Sequence, residues 1–127
     1  MRILLVAAAL LLASGCGSDE AKPAPTTDDG KLRPPPSGER MTEAAACDAL
    51  SDAHSKTMLA VGCAGTSRTC PTLLRSQSAS ECVEYDKGSL DACIAHIEAQ
   101  TTCPDVASSL DECIVYAYPE SAPAGCP

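Results

Sequence analysis

Nine cysteines and two histidines are the side chains of this 127-residue chain best suited to chemistry. Cys93 and His96 stand three apart, a spacing that on a helix sets a thiol beside an imidazole, the outline of a Cys–His nucleophile. Such a pair needs a free thiolate. Zinc knuckles need two to four residues between cysteines; here six or more separate every neighbouring pair. The redox C-x-x-C and haem C-x-x-C-H patterns are absent. So are G-x-S-x-G, H-E-x-x-H, the phosphate loop and the EF-hand. "TTDDG" at Thr26–Gly30 has acids without the spacing of a calcium loop. His54 reads as a helix-boundary residue and Asp111-Glu112 as a solvated face. The residues predict no catalytic site, no metal and no cofactor.

What remains for the cysteines is cross-linking. Cys47, Cys63, Cys70, Cys82, Cys93, Cys103, Cys113 and Cys126 fall within Met41–Pro127, a stretch with no Phe or Trp and only three Tyr. A core this small leaves only a few kcal/mol net, and exported domains of this size commonly add staples. Each native bridge is worth roughly 2–5 kcal/mol. An even set of eight predicts four disulfides, which would leave no free thiol at Cys93.

Cys16 stands apart from that set. It closes "LLASGC" (Leu11–Cys16), behind a positive start at Met1-Arg2 and an unbroken apolar run, Ile3–Ala13. The run is about half of the roughly 20 residues a membrane span requires, and small residues follow it, which is the order of parts in an export signal. The segment resembles the lipobox of bacterial lipoproteins, with Ala13 where that family usually has Leu. The resemblance implies cleavage between Gly15 and Cys16, a diacylglycerol thioether on Cys16 and palmitate-type acylation of the new amino terminus. Two or more acyl chains would hold the chain stably on a membrane. Gly17 follows the cysteine; in well-studied Gram-negative lipoproteins an Asp there favours the inner membrane, so Gly17 points to the outer one.

The elements that carry the cysteines divide the chain into three parts. Residues 1–15 are the signal peptide. Residues 16–40 are the lipidated cysteine and a tether rich in Pro, Gly, Ser, Thr and charge, with Leu32 its only large apolar residue. Such a segment cannot bury enough surface to offset its ordering entropy, so a disordered tether is expected, reaching roughly 80 Å when extended. Residues 41–127 form the cysteine-rich helical domain.

Three stretches of that domain have helical periodicity. Thr42–Val61 opens on an N-cap and stops at Gly62. Ser89–Gln100 sets Leu90, Cys93, Ile94 and Ile97 on one face. A third begins at Cys103, with Pro104 in its first turn and Thr102 and Asp105 spaced as a capping box, and its apolar stripe runs through Val106, Leu110, Cys113 and Ile114 to Ala117. Pro71–Gln77 is a weaker helical piece, and no stretch alternates like a strand. The predicted fold is all-α, a disulfide-stapled bundle of three to four short helices. An antiparallel hairpin of the second and third helices would set Cys93 opposite Cys113. An internal echo, "TCPTLLRSQSASECVEY" against "TCPDVASSLDECIVY", would pair Cys47 or Cys63 with Cys82.

The domain has four basic and twelve acidic side chains, a formal charge of −8. This argues against nucleic acid, which needs clustered Lys and Arg. The layout is similar to that of small cysteine-rich helical lipoproteins of Gram-negative bacteria. The expected role is a non-catalytic binding or structural domain, lipid-anchored in the cell envelope and facing a protein partner there. The alternative is an inhibitory or accessory module acting on an extracytoplasmic hydrolase.

Overall fold

A computed structural model describes residues 28–121 and Cys126. The expected signal peptide, Cys16 and the tether up to residue 27 lie outside the described residues. Four helices follow one another: α1 (Glu43–Val61), α2 (Thr72–Arg75), α3 (Lys87–Glu98) and α4 (Cys103–Glu112). Their ends have local chemical causes. Thr42 accepts the Ala45 N–H at the start of α1, and Gly62 ends it in the left-handed region at φ 80°, where a side chain would be strained. Thr102 accepts the Asp105 N–H at the start of α4, with Pro104 in the first turn. Asp86 caps α3 by accepting the Ser89 N–H at 2.8 Å.

Helix α1 is the hub, packing on α2, α3 and α4. The core between them holds Leu50, Leu73, Leu74, Tyr85, Leu90 and Ile97, each at most 1% exposed. At ~25 cal/mol per Å² of apolar surface, a buried Leu or Ile stabilises by about 1.5–3 kcal/mol. Glu43 and Arg75 tie the start of α1 to the end of α2 through a two-pronged ion pair at 2.8 and 2.9 Å. Burial, and after it the Glu43 carboxylate, pushes the Tyr85 hydroxyl up to about 12.

The fold is not all-α. Strands β1 (Arg40–Met41), β2 (Glu84–Asp86) and β3 (Ala117–Tyr118) form an antiparallel sheet in that order. Met41 stands opposite Tyr85, and Tyr85 opposite Ala117. Strands of two or three residues are too short to show alternation, so the sequence could not announce them. β3 occupies the end of the expected third helix. That helix stops at Glu112, because Cys113 turns extended and Leu32 pairs beside it.

Part of the segment expected as a disordered tether is ordered. Residues 28–41 form an arm laid along the domain. The Leu32 N–H donates to Glu112 O at 2.7 Å, and Leu32 O accepts from Ile114 N–H at 2.9 Å. Pro34 is buried. The arm gains order from backbone pairing and one carboxylate, both invisible to composition.

The four bridges are Cys47–Cys70, Cys63–Cys103, Cys82–Cys126 and Cys93–Cys113. The α3–α4 bridge is where the hairpin argument put it, with Cα atoms 5.5 Å apart. Cys82 does not pair with Cys47 or Cys63. Each Thr-Cys-Pro cysteine instead reaches α1 or the residue just past its cap, and each Glu-Cys leads into a strand of the sheet. The echo therefore describes a shared layout, and Cys82 is left for the C-terminal Cys126.

Candidate functional site

Bridge formation removes the Cys93–His96 nucleophile, since Cys93 is bonded to Cys113. His96 instead sits 3.1 Å from Glu112 of α4. Among the described residues no cluster of three or more His, Cys, Asp or Glu could hold a metal ion.

Asp86 is the most heavily engaged carboxylate of the domain. It accepts the N–H groups of Ser37, Gly38 and Ser89 at 2.8–2.9 Å and the Tyr118 hydroxyl at 2.7 Å. Burial alone would raise its pKa. The hydrogen bonds outweigh burial and hold the carboxyl well below the usual range. One side chain thus caps α3, clamps the arm and fixes β3. Beside it, the Arg40 guanidinium lies 4.2 Å from the Tyr118 ring, and Tyr116 meets Tyr118 edge-on.

The second constellation centres on a buried histidine. His54, on the buried face of α1, is 4% exposed. Its Nε2 lies 3.1 Å from Val106 O on α4, and its Nδ1 lies 3.0 Å from Ser67 Oγ in the loop after α1. A carbonyl only accepts, so the proton resides on Nε2 and the Nδ1 lone pair accepts the Ser67 hydroxyl. Burial, reinforced by the Arg68 charge, lowers the His54 pKa against the opposing pull of Val106 O. The imidazole is therefore a neutral acceptor at pH 7.

Ser67 lines an open groove of about 540 Å³ along α1, with Met58 and Leu59 on its wall. His54 lines a neighbouring hollow of about 260 Å³ that shares Met58, Cys63, Gly65 and Thr66 with it. Gly65 has φ 140°, and a Cβ there would meet Met58 Cε at 3.0 Å, so glycine keeps the floor open. Leu59 is 78% exposed, the most exposed large apolar side chain described.

No family model, curated protein or solved structure compared with the chain matches it. The site must be read from its own chemistry. Sequence reasoning placed His54 at a boundary and passed over Ser67. Their hydrogen bond crosses 13 residues, and the Val106 contact that orients the ring crosses 52. No spacing motif carries such a link.

Proposed function

We propose that the chain is a lipid-anchored protein of a Gram-negative cell envelope, whose bridged domain is a non-catalytic binding or structural module. The observation that carries this reading is the cysteine ledger. All eight cysteines of the domain pair with one another. Cys16 therefore has no sulfur partner left within the chain, and it stands in the lipobox-like LLASGC. Four disulfides suit an oxidising compartment. Gly17 favours the outer membrane. No helix among the described residues is long and apolar enough to cross a bilayer. In this reading the lipid on Cys16 supplies the membrane attachment. Exposed Leu59, and Tyr116 at 41% exposure, offer apolar contact to an envelope protein.

The test is metabolic labelling with radioactive or alkyne-bearing palmitate in a Gram-negative host. The full chain should take up label and fractionate with membranes, and Cys16→Ala should do neither. An unlabelled wild type would defeat the reading.

A further inference from the structure

The pairing of Ser67 with His54 has the parts of an activated hydroxyl. A nucleophile needs a base within hydrogen-bond reach and a third group that orients the base. Ser67 Oγ is 3.0 Å from Nδ1, and Val106 O holds the far side of the ring at 3.1 Å. The base lies behind the hydroxyl, almost fully buried, while Ser67 is partly exposed to the groove. The charge that develops on an attacked carbonyl oxygen also finds donors nearby. Arg68 adjoins Ser67 and spends one terminal nitrogen on Asp111 at 2.6 Å. Among the described residues, the amides of Thr66, Ser67 and Arg68 donate to no other backbone carbonyl. Met58 and Leu59 give the groove an apolar stretch for a short acyl chain, beside polar side chains that include Asp48, Ser51 and Ser55.

We infer that Ser67 is an acyl-acceptor site, on which His54 acts as general base and the groove holds the acyl chain of an activated carboxylic ester. Ser67 Oγ attacks the ester carbonyl as its proton passes to Nδ1. The tetrahedral adduct collapses and the bond from carbonyl carbon to the leaving oxygen breaks; the activated leaving group departs as its anion and takes a proton from solvent, while the proton held on Nδ1 is lost to solvent. The products are an O-acyl serine and the free alcohol. Clearing the acyl group would need a water activated at Nδ1, whose hydrogen-bond partner is Ser67 Oγ on a ring only 4% exposed. The reaction is therefore stoichiometric, one acyl group per chain, and adds a modification site to the binding role.

The test uses the full-length, disulfide-intact protein with p-nitrophenyl butyrate and, separately, a fluorophosphonate. Wild type should release a burst approaching one equivalent of p-nitrophenol. It should also gain a single butyryl or phosphonyl adduct, mapped to Ser67 by peptide mass spectrometry. Ser67→Ala, which deletes one partly buried hydroxyl, should lose the adduct while keeping the far-UV spectrum and the four bridges. His54→Gln should slow labelling about a hundredfold or more, the usual worth of a positioned general base. The wild-type rate should also fall as pH drops through the His54 pKa, which burial holds below the ordinary imidazole value. A wild type that takes up no adduct, or equal labelling of Ser67→Ala, would overturn the inference. Neither result touches the palmitate test, which concerns Cys16 alone.

Discussion

At the residue scale two of the domain's buried ionisable groups are satisfied in opposite ways. Asp86 is kept charged by donors on every side, and His54 is kept neutral by burial between a carbonyl and a hydroxyl. His54 gives stability a pH dependence whose sign can be worked out. In the unfolded chain the imidazole titrates near 6.5; in the folded protein its pKa is lower. Above 6.5 both states are neutral and the group contributes no slope. Below 6.5 the unfolded state binds the proton first, so stability falls with pH until the folded value is passed. Urea unfolding at pH 8, 6.5 and 5 should show the midpoint dropping across this window. In His54→Gln, which retains a polar side chain without a titration, the step between 6.5 and 5 should shrink. An unchanged step would assign it to another group.

At the scale of elements, what was legible in the sequence was what neighbours in sequence decide. Thr42, Gly62 and Thr102 mark helix ends by short-range capping, and those three ends lie where the pattern put them. Cys93 and Cys113 were legible because a single hairpin relates them. The sheet and the arm were not, since each is built by residues distant along the chain. Asp86 reads as one more acid in an acidic domain, yet its partners Ser37 and Gly38 lie 49 and 48 residues away. The arm's dependence on this carboxylate can be measured. Asp86→Ala leaves the buried Ser89 N–H, two arm amides and the Tyr118 hydroxyl without their acceptor. At roughly 1–3 kcal/mol for the stranded buried Ser89 N–H and less for each of the more exposed donors, the domain should lose about 2 kcal/mol or more. The arm should detach first, so trypsin should cut after Lys31 and Arg40 much faster than in wild type. In wild type the clamp's stabilisation should start to diminish below pH 3.8, where the unfolded chain begins to bind the proton, and be lost as the folded carboxyl, held well below the usual range, protonates. Equal cleavage of variant and wild type would show that backbone pairing at Leu32 holds the arm unaided.

For the whole molecule the question is what holds a domain with so little aromatic core. Tyr85 is its one fully buried ring, and α2 is a single turn. The bridges close loops of 20 to 44 residues, and loop-closure entropy assigns each ~3–4 kcal/mol. Folded domains are stable by only about 5–15 kcal/mol in total. The four bridges together are therefore comparable with the entire margin, even allowing for overlap between their loops. Three of them also have distinct mechanical roles. Cys47–Cys70 and Cys63–Cys103 fasten the segments leading into α2 and α4 to α1 and the turn after it, and Cys82–Cys126 pins the C-terminal end beside β2. Full reduction by a phosphine at pH 7 and 25 °C should abolish most of the far-UV helical signal and any cooperative transition in urea. Reoxidation should restore both, together with the four pairings found by non-reducing peptide mapping. The Glu43–Arg75 ion pair and the Asp86 clamp cannot rescue the reduced chain, since each needs the helices already docked. A reduced protein that still unfolds cooperatively would shift the main source of stability to the α1–α3 contact. The bridges would then guard the domain against proteolysis without deciding whether it folds.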